Sequence, residues 1–82
     1  MDKETFIQLT QGEQLYRIME SGRVVATRQF LHCLIRCYAL HDFYAEVWYV
    51  PAANKVKQVE TLGLDEVLAI YKDDFDISGL LK

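Results

Sequence analysis

Residues that break regular structure are scarce in this chain: it has one proline, Pro51, and four scattered glycines among 82 residues. Such spacing cannot form a glycine-rich phosphate-binding loop, and the chain has neither the GxSxG pattern of serine hydrolases nor the HExxH pattern of zinc proteases. No convergent set of polar side chains is visible either. We therefore expect a protein that is not an enzyme and that carries no cofactor.

Cysteine is also scarce, with only Cys33 and Cys37, which fit free thiols in a reducing compartment. In a helical segment, Cys33, Cys37 and His41 would share one face, but residues eight apart are separated by about 12 Å along the helix axis. That distance is too long for all three to bind one zinc ion, and no second ligand pair is present. A mid-helix cysteine also lacks the electropositive setting that activates a nucleophile. We expect no metal site and no cysteine catalysis.

Long apolar runs are missing, since none approaches the roughly 20 residues that span a bilayer. The first residues, MDKETFIQL, lack the basic and apolar regions of a signal peptide. We expect a cytoplasmic protein that does not enter a membrane, and the length indicates a single domain over residues 1–82.

Positive charge is limited and unevenly placed. The net charge is −3, but the segment from Arg17 to Arg36 carries +3 and the segment from Glu60 to Lys82 carries −4. A net negative chain argues against general affinity for nucleic acid. The arginines of the helical half nevertheless leave a nucleic-acid-binding regulator open as the alternative function, with these residues as its contact set: Arg17, Arg23, Arg28 and Arg36.

What the chain does have is a clear hairpin signal between Phe43 and Leu62. Two runs, FYAEVWYV and KVKQVETL, are rich in β-branched and aromatic residues and flank PAAN. In a four-residue loop, Pro51 takes the second position of a type I turn and Asn54 adopts the left-handed conformation. This register pairs Val50 with Lys55 and places Trp48 opposite Lys57 as a cation–π pair. A one-residue slip would exchange the faces of the second strand.

The remaining segments read as helices. Residues 2–9 begin with acidic residues, and Leu15, Ile18 and Met19 recur at helical spacing before Ser21-Gly22. From Arg23 to Leu40, apolar residues again recur at a period of 3.6 and predict one long helix. For residues 13–28 a hairpin with a tight Ser-Gly turn remains an alternative. Gly63 then precedes a final helix that starts with Asp65 and Glu66 and is followed by a tail, FDISGLLK, that we expect to dock.

Together these segments predict an α+β fold with two N-terminal helices, the second one long, an antiparallel β-hairpin, and a C-terminal helix with a docked tail. The first strand of the hairpin is apolar or aromatic on both faces, and an isolated hairpin is marginal in water. We therefore hypothesise a non-enzymatic protein-interaction module that forms a homodimer or binds a protein partner. The predicted interface residues are Tyr44, Glu46, Trp48, Val50 and Lys57.

Overall fold

A computed structural model describes residues 2–71, in which helices accompany one four-stranded antiparallel sheet, and this confirms the α+β class. The strands lie in the order β1-β2-β3-β4, so each pairs with its neighbour along the chain. No helix within residues 2–71 has the length and apolar character needed to cross a membrane. The elements in chain order are α1 Lys3–Ile7, α2 Gln11–Ser21, β1 Arg23–Phe30, β2 Cys33–Ala39, β3 Tyr44–Val50, β4 Lys55–Leu62 and α3 Leu64–Tyr71.

The long helix predicted from Arg23 to Leu40 is wrong, because this segment forms the β1–β2 hairpin. Phe30 pairs with Cys33 across a tight turn, and Leu31 in that turn has a positive φ of 55°. The burial in β2 has a period of two, the strand period, and not 3.6. The alternative hairpin over residues 13–28 is also wrong, since residues 11–21 are helical and β1 pairs with β2 instead.

The two helices before the sheet are set by their capping residues. The side chain of Asp2 accepts a hydrogen bond from the Thr5 amide at the start of α1. Thr10 and Glu13 form a reciprocal capping box at the start of α2. Gly22 caps the end of α2 as predicted, and a Cβ at this position would lie 2.7 Å from the Ile18 carbonyl oxygen. Two short helices therefore occupy residues 3–21.

The β3–β4 hairpin confirms the predicted loop but only part of the predicted register. Val50 pairs with Lys55, and Asn54 has a φ of 51°. A β-bulge then inserts Lys57 as an extra residue on β4, so that Trp48 pairs with Gln58. The predicted pairing of Trp48 with Lys57 is wrong for this reason, and every pair from Trp48 to Tyr44 is shifted by one residue.

Helices α1 and α2 pack on one face of the sheet, which we call the α1–α2 face. Phe6 of α1 and Ile18 of α2 are buried with Phe43 and Ala45, and the Phe6 and Phe43 ring centroids are 5.2 Å apart. The side chain of Gln14 donates to the Phe6 carbonyl oxygen and so ties the two helices together. This core lies at the end of the sheet where β2 connects to β3.

Helix α3 packs on the opposite face, which we call the α3 face. Val67 and Tyr71 are buried there against Cys37 and Leu62. The acidic residues predicted for the first turn of this helix are present, and Glu66 also accepts a hydrogen bond from the Gly63 amide. The predicted docked tail lies outside the described residues.

Candidate interaction site

The predicted interface residues lie in different environments. Tyr44 packs against the core beneath α3, and Glu46 is only 2% exposed, so the structure places Glu46 in the interior and not on a polar rim. Trp48 and Val50 are half-buried on the same face of β3, further from α3. Lys57 is exposed at the β-bulge. Of this set, Trp48, Val50 and Lys57 are at least partly exposed.

A buried polar cluster joins the sheet to α3. The Arg28 guanidinium donates from Nε to Oε2 of Glu46 at 3.1 Å and from Nη2 to Oε1 at 3.3 Å. The hydroxyl of Tyr71, at the end of α3, donates to Oε2 of the same carboxylate. Glu46 therefore has three donors inside the protein, which compensates for its removal from water.

This cluster changes the acidity of its members. The hydrogen bonds to Glu46 raise the pKa of Arg28, and burial together with the hydrogen bond to Glu46 raises the pKa of Tyr71. Burial, helped by the negative charge of Glu46, raises the pKa of the neighbouring Cys37 thiol to about 12. A thiol with such a pKa carries almost no thiolate at neutral pH, so Cys37 is a poor nucleophile.

The Arg28 side chain also crosses over strand β2 and contacts two aromatic rings. Its Cζ atom lies 5.4 Å from the centroid of the Trp48 ring and 5.7 Å from that of Tyr71. Because Arg28 is on β1 and Trp48 is on β3, their contact crosses above Ile35, which pairs with both and is fully buried. The cation that stacks on Trp48 is therefore Arg28, in place of the predicted Lys57.

An apolar surface lies on the α3 face at the end of the sheet where β1 turns into β2. It is formed by Phe30, Leu31 and Trp48, and we call it the hairpin-tip patch. The Phe30 ring meets the Trp48 ring edge-on at a centroid distance of 6.1 Å, yet Phe30 is 50% exposed. Leu31 is 83% exposed. The indole nitrogen of Trp48 is buried and makes no hydrogen bond within the described part of the chain.

Leu31 is unusual because it is both apolar and strained. A left-handed backbone costs a residue with a Cβ about 1–2 kcal/mol, which is why glycine, asparagine or aspartate usually fills such a turn position. An exposed leucine recovers little of this cost through packing. Backbone strain of this kind clusters at functional sites, which makes this turn part of the candidate site.

The two outer edges of the sheet differ in protection. Along β4, Lys55 and Lys57 are exposed, the bulge distorts the strand, and the Gln11 side chain donates to the Val56 carbonyl oxygen at 3.4 Å. Charges and bulges are common protections of an edge strand. Along β1, an irregularity lies between Val24 and Ala26, and no other described strand pairs with the outer side of residues 26–30. The less protected edge thus adjoins the hairpin-tip patch.

Within residues 2–71, the helices cover only part of the α1–α2 face, and an open groove of about 220 Å³ remains beside them. Tyr49 forms one wall, and its hydroxyl is hydrogen-bonded to the Asn54 side chain. Within residues 2–71, the Arg36 side chain forms no salt bridge. The groove is lined by Leu34, Arg36, Tyr38, Val47 and Tyr49.

The four arginines do not share one surface. Arg17 on α2 pairs with Glu20 at 3.2 Å, and Arg23 is exposed at the start of β1. Arg28 is engaged with Glu46 on the α3 face, whereas Arg36 lies in the open groove on the opposite face. The structure therefore does not assemble them into one continuous basic strip.

The residues weighed for metal binding are also separated. Cys33 and Cys37 are free thiols buried on β2, and His41 follows β2 as an exposed loop residue. Four residues along a strand span about 13 Å, which is too far for two cysteines to chelate one ion. No group of three or more potential ligands comes together within residues 2–71.

Sequence reasoning missed Phe30, Leu31 and the residues of the open groove because it placed most of them in a helix. The alternation of Cys33, Ile35 and Cys37 was the available signal, since its period of two fits a strand with one buried face. Comparisons of the chain with protein-family models, with curated proteins and with solved structures found no significant match.

Proposed function

We propose that this chain is a small non-enzymatic protein-interaction module that self-associates through the hairpin-tip patch. The observation that carries the proposal is an exposed leucine at a strained turn, beside a half-exposed phenylalanine and a tryptophan. Leu31 adds nothing visible to the core, and aromatic side chains are enriched at protein interfaces. The proposal keeps Trp48 from the predicted interface and replaces Tyr44 and Glu46, which α3 covers, with Phe30 and Leu31. Val50 and Lys57 of the predicted interface are not part of the hairpin-tip patch.

The neighbouring edge of β1 supports pairing between two copies. Antiparallel pairing of residues 26–30 across a two-fold axis would extend the sheet from one subunit to the next. In this register Phe30 of each copy would lie opposite Ala26 of the other copy and on the same face, so each hairpin-tip patch would pack on the other copy's β1 and remove apolar surface from water. The edge of β4 is protected by lysines, a bulge and Gln11, which makes β1 the favoured edge.

The test is solution mass by sedimentation equilibrium of the full chain over a wide concentration range, in low and in high salt. We expect a dimer that persists in high salt, because the contact is apolar. Leu31→Asn keeps a residue that tolerates the left-handed turn but removes the apolar side chain. We expect this change to raise the dimer dissociation constant at least about tenfold, which corresponds to about 1.4 kcal/mol.

The matched control is Met19→Gln, since Met19 is 81% exposed on α2, on the other side of the sheet. This variant should leave the dimer unchanged. A strict monomer at every concentration, or a dimer that Leu31→Asn and Met19→Gln affect equally, would refute self-association through this patch. Thermal unfolding of Leu31→Asn separates the proposal from misfolding, because the variant should be at least as stable as the parent once the strain is relieved.

A further inference from the structure

The open groove on the α1–α2 face is a second surface, on the opposite side of the sheet from the hairpin-tip patch. We infer that it binds an extended peptide segment of a partner protein in which an acidic residue lies between two apolar residues, in the order apolar-x-acidic-x-apolar. This inference does not depend on self-association.

The spacing of the lining residues defines the spacing of the ligand. Leu34, Arg36 and Tyr38 are alternate residues of β2 and share one face, so their side chains repeat at about 7 Å along the strand. Alternate side chains of any extended peptide repeat at the same distance. A peptide lying along β2 therefore presents one side chain to each of these three positions.

The chemistry of the lining defines the type of ligand side chain. Among residues 2–71, Arg36 is the only charged residue that lines the groove, and no carboxylate of this range pairs with it, so a ligand carboxylate is its natural complement. Val47 lies directly opposite Arg36 on β3, and Tyr49 lies opposite Leu34. The apolar ligand side chains on either side of the acidic one would contact Leu34 and Tyr49 at one end of the groove and Tyr38 at the other.

The size of the groove favours peptide side chains over a larger small molecule. A volume of about 220 Å³ is below the roughly 300–1,000 Å³ of sites that enclose a drug-sized ligand or cofactor. The hydrogen bond from Tyr49 to Asn54 fixes one wall, and the helices limit the groove at its other end. Three alternate side chains of an extended peptide fit such a shallow, bounded surface.

The test uses a synthetic probe, acetyl-Phe-Ser-Asp-Ser-Leu-amide, titrated into the ¹⁵N-labelled full chain and followed by amide chemical shifts. We expect saturable shifts at residues 34–38 and 47–49, and none at residues 65–70 of α3, which packs on the opposite face. A probe with asparagine in place of aspartate should bind at least about fivefold more weakly. A probe of identical composition in the order Asp-Ser-Phe-Ser-Leu should also bind more weakly, because its carboxylate is out of register with Arg36.

Two protein variants complete the test. Arg36→Gln should abolish the preference for the aspartate probe over the asparagine probe, while Arg23→Gln, which makes the same charge change outside the groove, should preserve it. Equal binding of all three probes, or shifts outside the groove, would overturn the inference. If Arg36→Gln dissociates a dimer and leaves probe binding unchanged, the occupant is a second copy of the chain and the peptide inference is wrong.

Discussion

Arg28 and Glu46 form one ion pair, but the two ends of the pair are buried to very different extents. The Arg28 side chain is 23% exposed, whereas that of Glu46 is 2% exposed. Removing Arg28 therefore leaves a buried carboxylate without its cation, while removing the charge of Glu46 leaves an arginine that can still reach water. We predict that Arg28→Met destabilises the fold more than Glu46→Gln does.

The magnitudes follow from the contacts. In Arg28→Met, Glu46 loses two of its three donors and keeps only the Tyr71 hydroxyl, and breaking a buried pair in this way costs about 3–5 kcal/mol. The lost contact with the Trp48 ring adds about 0.5–1 kcal/mol. In Glu46→Gln, the amide oxygen still accepts from Tyr71, and solvation of Arg28 limits the loss to about 1.5–3 kcal/mol.

The assay is urea unfolding at neutral pH, with the free energy of unfolding extrapolated to water. For a chain of this length, a difference of 1 kcal/mol between the variants corresponds to about 4–8 °C in Tm, so calorimetry gives a second measurement. Arg17→Met is the matched control, because Arg17 and Glu20 form an exposed pair whose loss should change stability little.

A double variant separates charge from packing. Arg28→Met with Glu46→Met replaces both partners by apolar side chains, so no charge stays buried and the loss of stability should be smaller than for Arg28→Met alone. The reasoning fails if Glu46→Gln costs as much as Arg28→Met, or if the double variant is the least stable of the set.

Three further predictions concern single positions. Burial raises the pKa of Cys37 to about 12 in the folded protein, from a usual value near 9 in the unfolded chain, so the free energy of unfolding should be full below pH 9 and fall toward pH 12 by about 1.4 kcal/mol per pH unit. The raised pKa of Tyr71 should steepen this fall above pH 10. Urea unfolding across this range should show a shallower fall for Cys37→Ala. Asn54→Ala should cost about 1–2 kcal/mol through its positive φ and the lost hydrogen bond to Tyr49, and Asn54→Gly should cost less in the same unfolding assay. Thr10→Ala should cost about 1 kcal/mol by removing the capping box, as measured by thermal unfolding, with Thr10→Ser close to the parent.

The segments whose ends carry turn-forming or helix-capping residues could be predicted from the sequence. Pro51 and Asn54 mark the β3–β4 loop by their backbone preferences, and Gly22 marks the end of α2. Asp65 and Glu66 mark the start of α3. In each case the residue that ends or begins an element carries the information itself, so no knowledge of distant contacts is needed.

The β1–β2 hairpin lacked such a signal. Its turn has Leu31 in the left-handed conformation, where glycine or asparagine would have marked the reversal. Apolar residues on both sides of the turn also happened to fit a helical period. The one-residue error in the register at Trp48 also came from a missing signal. The β-bulge at Lys57 contains no glycine, so nothing in the sequence indicated it.

The candidate site could be predicted only in part. Trp48 was identified because its strand, FYAEVWYV, is apolar or aromatic on both faces, and this pattern can be read from the sequence. The partner of Trp48 in the structure, Arg28, comes from a strand that the sequence analysis placed in a helix. Which charged residue is buried, and which apolar residue is exposed, depends on where α3 lies across the sheet, and that is a long-range property.

The sequential strand order also has a consequence during synthesis on the ribosome. Each strand can pair with the strand made just before it, so the loops to be closed are short and the entropic cost of each step is small. Tyr71 belongs to the last described helix and is made after the whole sheet. Until Tyr71 is made, Glu46 lacks one of its hydrogen-bond donors and its face of the sheet is open to water. Glu46 therefore becomes buried with all three of its hydrogen bonds only after α3 has been synthesised.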